Sequence, residues 1–77
     1  MLNVKDNQTP LVSQILLFGS YGPNTVDSMI IHDRTIEEAG LSHTKFVIEQ
    51  LVVVGWMSLT SDGRYITTQE GEAFLKH

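Results

Sequence analysis

Residues 34–56 read RTIEEAGLSHTKFVIEQLVVVGW, and this stretch decides the fold. It contains two helical segments, which are separated by the short sequence AGLS at residues 39–42. Asp33 can cap the first segment with its carboxylate, and Gly40 allows the positive φ at which a helix commonly ends. The pattern therefore predicts a helix that begins after Asp33, followed by a tight turn and a second helix.

The second helix is expected over residues 42–54. Leu41 is expected to pack in the turn between the two helices, Ser42 to cap the second helix, and Gly55 to stop it. We expect four apolar side chains of this helix to face the core: Phe46, Val47, Leu51 and Val54. The non-core positions are then His43, Thr44, Lys45, Ile48, Glu49 and Gln50.

A β-hairpin is expected after this helix. Asp62-Gly63 lies between two β-prone runs, and this dipeptide favours a two-residue turn in which both residues have positive φ. Such a turn pairs Leu59 with Ile66 and places four side chains on one face: Met57, Leu59, Ile66 and Thr68. A final short helix is expected from Gln69, capped by Thr67 or Thr68.

The chain before residue 34 is less uniform. Residues 1–8 are polar and are expected to be flexible, and Thr9-Pro10 begins a helix over 10–19. Residues 25–32 leave two alternatives open. Met29-Ile30-Ile31 favours a short strand because β-branched residues suit strands, whereas Asn24 or Thr25 could cap a short helix over the same residues.

Bulk properties indicate one small domain. The 77 residues include 42% hydrophobic residues and no cysteine, so no disulfide or thiolate metal site is possible. Residues 1–6 lack a signal-peptide pattern, and no apolar run approaches the roughly 20 residues of a membrane span, so we expect a cytoplasmic protein. The net charge is −4, with five Lys or Arg against nine Asp or Glu, which is unusual for a nucleic-acid binder.

The chain resembles the winged helix-turn-helix superfamily over about residues 9–76, within a single domain expected at 9–77. The residues that carry the resemblance are IEEAGLS at 36–42, LVVVGWM at 51–57, DGRY at 62–65 and TTQEGEAFL at 67–75. The resemblance implies an α+β fold: a three-helix core, a short β-hairpin wing and a short C-terminal helix. Only eight residues separate Ser42 from Leu51, fewer than in the multiple-antibiotic-resistance and arsenic-type repressors, so no particular regulator family follows.

The resemblance also implies binding of double-stranded DNA by a transcriptional regulator, acting as a dimer, with helix 42–54 and the wing at 61–64 as the contact elements. The expected contact residues are Arg34, His43, Thr44, Lys45, Gln50 and Arg64. The three basic residues among them, Arg34, Lys45 and Arg64, are about as readily expected as ordinary solubilising surface charges. Glu49 and Asp62 oppose DNA contact through their negative charge.

The alternative is a winged helix that binds protein and not DNA, as an assembly subunit or a small inhibitor. The apolar residues Val52, Val53 and Trp56 exceed what one helix face can bury, so they are a candidate interface with a second copy or another protein. The expectation for catalysis is negative, because no nucleophile or metal-ligand motif occurs. We expect no cofactor, metal or small-molecule ligand.

Overall fold

The computed structural model describes residues 9–76, and it shows a small α+β fold with five helices and one two-stranded antiparallel sheet. The elements are α1 (Thr9–Ser20), α2 (Val26–His32), α3 (Arg34–Ala39), α4 (Leu41–Val53), β1 (Met57–Leu59), β2 (Tyr65–Thr67) and α5 (Gln69–Leu75). The α+β class, the first helix, the hairpin and the C-terminal helix are confirmed. The predicted three-helix core is wrong in number, because four helices precede the hairpin. The segment 1–8, expected to be flexible, lies outside the described residues.

The favoured strand within residues 25–32 is wrong, and the helical alternative is confirmed. Thr25 caps α2, since its side chain accepts a hydrogen bond from the Ser28 N–H at 3.1 Å. Asp27 lies in the first turn, where the helix dipole favours a negative charge. Met29 is fully buried. The cap and this burial outweigh the weak strand preference of the adjacent isoleucines.

An isolated β-bridge joins Asn24, in the connector between α1 and α2, to Tyr65 of β2. The Asn24 N–H donates to the Tyr65 carbonyl at 3.0 Å, and the Tyr65 N–H donates to the Asn24 carbonyl at 2.8 Å. This isolated antiparallel bridge fixes the connector between α1 and α2 to the outer side of β2.

The turn between α3 and α4 is shorter than expected. Asp33 caps α3 as predicted, accepting from the Ile36 N–H at 3.0 Å. Gly40 alone separates the helices, with φ 89° and ψ 161°. α4 begins at Leu41, so the predicted Ser42 cap is wrong and no side chain caps this helix. Leu41 is 54% exposed and does not anchor the turn as predicted.

The buried face of α4 differs from the predicted face by a rotation of about one residue position. Its buried residues are Thr44, Val47, Ile48 and Leu51. Phe46 was expected inside and is 58% exposed, whereas Ile48 was expected outside and is fully buried. Thr44 accounts for the difference: its hydroxyl donates to the Ile36 carbonyl at 3.4 Å, so a polar residue can pack against α3.

The hairpin forms with a register one residue away from the predicted one. The pairs are Met57 with Thr67, Ser58 with Ile66 and Leu59 with Tyr65. Residues 60–64 form the loop between the strands, and the predicted two-residue turn is wrong, because only Gly63 takes a positive φ (83°) and Asp62 does not. A shift of one residue moves every side chain of a strand to its other face. Thr67, and not Thr68 as predicted, therefore lies opposite Met57.

The core is built from buried apolar side chains of α1, α2, α3 and α4 together with Met57 of β1, and α1 also packs against β2 and α5 at one side of it. Thr67 is buried there, and its hydroxyl donates to the Leu16 carbonyl at 2.5 Å. Gly19 of α1 and Gly71 of α5 are both buried against this threonine. Thr68 caps α5, accepting from the Gly71 N–H at 3.3 Å, as one of the two predicted caps.

Candidate functional site

The outward face of α4 is exposed to solvent along the length of the helix. Opposite the buried residues lie Ser42, Phe46, Glu49 and Val53, all of them exposed. His43 and Lys45 are exposed on the two flanks. A helix advances by about 100° per residue, so these two side chains leave the helix about 160° apart.

The six residues expected to contact DNA do not form one surface. Thr44 is fully buried with its hydroxyl bonded to α3, so the prediction that it lies on the outer face is wrong. Gln50 is half-buried on the same flank as His43, and Lys45 is on the other flank. Of the α4 residues in the predicted set, Lys45 alone is directed toward the hairpin.

Lys45 and the hairpin loop line one open depression of about 330 Å³. Lys45 and Leu41 contribute from α4, Gly63 and Tyr65 from the hairpin, and the start of α2 closes the third side with Asp27. The loop tip, where Arg64 follows Gly63, is thereby placed next to α4. Lys45 is the basic residue that lines the depression, and the acidic Asp27 lines it as well.

The two arginines of the predicted set are exposed and paired with acidic neighbours. Arg34 Nε lies 3.3 Å from Glu38 Oε2, one helical turn away. Arg64 Nε lies 3.3 Å from Asp62 Oδ2 within the loop. Exposed pairs of this kind contribute little free energy, so either guanidinium can exchange its carboxylate for a phosphate. Within residues 9–76, no hydrogen bond or ion pair engages the side chains of Lys45 and Glu49.

The loop has an internal hydrogen-bond network centred on Thr60. Its hydroxyl donates to the Asp62 carboxylate and accepts from the Arg64 N–H at 3.0 Å. The bond from Thr60 lowers the pKa of Asp62 below its ordinary value, and the positive charge of Arg64 acts in the same direction. The carboxylate is therefore ionised at neutral pH and holds Arg64 beside the loop.

Replacing Thr60 with valine is expected to raise the pKa of Asp62 toward its ordinary value, because the main hydrogen bond to the carboxylate is lost. A depressed pKa in the folded state means that this carboxylate stabilises the fold at neutral pH and ceases to do so as the pH falls through that pKa. The titration can be followed by NMR at the Asp62 carboxyl carbon, with Ser61→Ala as the control. An unchanged titration curve in Thr60→Val would contradict the assignment.

The three residues proposed as a protein interface are separated by the fold. Trp56 packs on Phe74 with ring centroids 4.8 Å apart, and Val52 is half-buried against the core. Only Val53 is largely exposed, at 79%. The sequence interpretation missed Phe46 as an exposed residue. The exposure of Phe46 could have been predicted from the helical spacing of the buried residues Thr44, Val47, Ile48 and Leu51. That prediction would have required accepting a threonine as a core residue.

Comparisons of the chain with family models, with curated proteins and with solved structures gave no match. Across residues 9–76, no helix has the length and apolar character needed to cross a membrane. The same residues contain no cluster of three or more His, Asp or Glu side chains suited to hold a metal ion.

Proposed function

We propose that this chain is a small winged-helix protein that binds double-stranded DNA and regulates transcription, with α4 in the major groove and the loop at 60–64 as the wing. The observation that carries the proposal is that Lys45 and Gly63 line the same depression, so that α4 and the loop present one surface. A duplex that receives α4 in its major groove would have its backbone within reach of Lys45 and Arg64.

The order of elements supports the winged-helix part of the proposal. Two helices joined by Gly40 are followed directly by the hairpin. The Asn24 bridge to Tyr65 adds a third extended segment on the free edge of β2.

Electrostatics limits how such a protein could bind. With a net charge of −4, non-specific attraction to phosphate is weak. Three phosphate contacts per chain, from Arg34, Lys45 and Arg64, correspond to a salt slope of about −2.7. Useful affinity then requires two copies on paired half-sites or a second protein beside the first.

Lys45→Ala is expected to weaken DNA binding and to make the salt slope about 0.9 less negative, because one phosphate contact is lost. The measurement is fluorescence anisotropy of a labelled mixed-sequence duplex over a series of salt concentrations. Lys76→Ala is the matched control, since Lys76 is exposed at the end of α5 and outside the proposed surface.

Two results would overturn the proposal. One is the absence of binding by the wild-type protein at about 100 µM in low salt, a concentration that reveals even non-specific binding. The other is a salt slope for Lys45→Ala that equals the slopes of the wild type and Lys76→Ala.

A second candidate function is binding to another protein through the same helix. The exposed Phe46 and Val53 favour it, because both lie on the outward face of α4 and leave apolar area there that a protein partner could bury. Glu49 and the net charge of −4 also fit a protein partner better than a polyanion. A stoichiometric protein partner lost in Phe46→Ala, together with no affinity for DNA, would establish this function in place of the first.

A further inference from the structure

The loop between the two strands contains a pair of residues that can react with each other. Asp62 is followed by Gly63, and no other Asp or Asn of the sequence is followed by glycine. In such a pair the backbone nitrogen of the glycine can attack the side-chain carboxyl carbon of the aspartate, because glycine has no side chain to hinder the approach. Both residues are exposed, so water reaches the bond between them.

The reaction converts aspartate to isoaspartate without an enzyme or a cofactor. A bond forms between Gly63 N and Asp62 Cγ, and the amide proton leaves with the carboxyl hydroxyl as one water molecule, which gives a cyclic succinimide. Hydrolysis takes up one water molecule at either ring carbonyl, and it gives back aspartate or gives isoaspartate, in which the chain continues through Cγ. Nothing is oxidised or reduced, and the loop backbone becomes one atom longer.

We propose that Thr60 protects this bond, so that the folded protein forms isoaspartate at Asp62 far more slowly than the same sequence does when it is unfolded. The Thr60 hydroxyl donates to the Asp62 carboxylate, and the Thr60 carbonyl accepts from the Gly63 N–H at 3.1 Å. A single residue therefore holds both the group that is attacked and the nitrogen that attacks it.

The carboxylate of Asp62 is held at both of its oxygens. The Thr60 hydroxyl binds Oδ1, and Arg64 Nε lies 3.3 Å from Oδ2. Ring closure expels one of these oxygens as water, so at least one of the two contacts must be lost. The hydrogen bond from Thr60 and, more weakly, the charge of Arg64 also lower the pKa of Asp62. Because ring closure consumes the protonated carboxyl group, this shift slows the reaction at neutral pH.

The nitrogen of Gly63 is restrained by the turn to which it belongs. Its N–H donates to the Thr60 carbonyl three residues earlier, which closes a four-residue turn. The succinimide nitrogen carries no proton, so this hydrogen bond must break before the ring can form. One intramolecular hydrogen bond that has to be broken reduces the population of reactive conformers by about fivefold, the net value of an ordinary bond.

The test measures the rate of isoaspartate formation in the folded protein at neutral pH. After incubation, trypsin releases residues 46–64 as one peptide, since Lys45 and Arg64 are successive cleavage sites. Chromatography followed by electron-transfer fragmentation identifies the isoaspartate form, whose mass equals that of the aspartate form. A synthetic peptide of residues 58–66 is the unfolded reference. The wild type is expected to react at least about 25-fold more slowly than this peptide, about fivefold for each of the two hydrogen bonds to Thr60.

Three variants separate the Thr60 hydroxyl from other effects of substitution. Thr60→Val is expected to react about fivefold faster than the wild type, because it loses the bond to the carboxylate and keeps the carbonyl that binds Gly63. Thr60→Ser retains a hydroxyl and should react at the wild-type rate. Ser61→Ala is the matched control, since Ser61 is an exposed neighbour in the same loop, and it should also keep the wild-type rate.

Three results would overturn the inference: a wild-type rate equal to that of the peptide, a folded Thr60→Val that reacts no faster than the wild type, and equal acceleration in Thr60→Val and Thr60→Ser. Circular dichroism at the incubation temperature shows whether each variant is folded. If Thr60→Val is unfolded, the comparison of the wild type with the peptide and with Thr60→Ser decides. None of these rates depends on DNA binding, so the inference fails or stands apart from the proposed function.

Discussion

Gly71→Ala is expected to lower the free energy of unfolding by about 3 kcal/mol, and the melting temperature by roughly 15 °C. A Cβ atom at this position would collide with the Trp56 carbonyl oxygen, and it would lie 2.7 Å from Thr67 Cγ2 and 3.2 Å from Leu16 Cδ2. The carbonyl belongs to the backbone and accepts from the Thr68 N–H, so it cannot move aside without breaking that bond. Thermal and urea unfolding, followed by circular dichroism, measure the effect.

The direction of this effect is informative because alanine normally stabilises a helix by about 1 kcal/mol relative to glycine. Glu72→Ala is the control, since the side chain is the exposed neighbour on α5 and its loss should change stability by less than about 0.5 kcal/mol. Wild-type stability in Gly71→Ala would show that α5 does not approach β2 as closely as described.

Ile48→Ala is expected to destabilise the protein by about 3 kcal/mol, whereas Phe46→Ala should cost less than about 1 kcal/mol. Ile48 is fully buried, so alanine leaves a cavity between α4 and its neighbours. Phe46 is 58% exposed, so its truncation removes little packing. The two variants are measured under the same urea-unfolding conditions.

This pair of variants distinguishes the two rotations of α4 described above. The face predicted from the sequence, with Phe46 inside and Ile48 outside, requires the opposite order of costs. A larger loss of stability in Phe46→Ala than in Ile48→Ala would therefore contradict the packing in which Thr44 contacts α3, and it would remove the basis for placing Phe46 on the outward face.

Features that depend on neighbouring residues were predictable from the sequence. Asp33 and Thr68 cap their helices as expected, because an N-cap bond reaches only three residues along the chain. Gly55 ends α4 with a φ of 87° for an equally local reason. Capping and glycine conformation are chemical properties that remain much the same in different tertiary surroundings.

Features that depend on contacts between distant elements were not predictable. The hairpin register follows from the loop geometry together with the burial of Thr67 beside α1. The segment that lies beside β2 is set by Asn24, which forms a bridge with Tyr65, some forty residues further along the chain. The rotation of α4 about its axis depends on the hydrogen bond that the Thr44 hydroxyl donates to the Ile36 carbonyl.

The same distinction applies to the candidate site. Lys45 and Arg64 are exposed on adjoining elements, and the expected helix–turn–helix and hairpin were sufficient to suggest this. Thr44 was misplaced because its exposure depended on the helix rotation, and Phe46 was missed for the same reason. Whether any of these residues contacts DNA remains a prediction that the binding experiments address.

The hydrogen bond from Thr67 to Leu16 has a consequence for how the chain folds. It joins residues 51 positions apart, one in α1 and one in β2, and α1 also packs against α5. A hairpin with three-residue strands is only marginally stable alone. The hairpin and α1 therefore become stable only when they pack against each other. Closing a loop of this length costs conformational entropy, and no local contact offsets that cost before the loop is closed. The domain is therefore expected to fold in a single cooperative step, with its first and last helices ordering together.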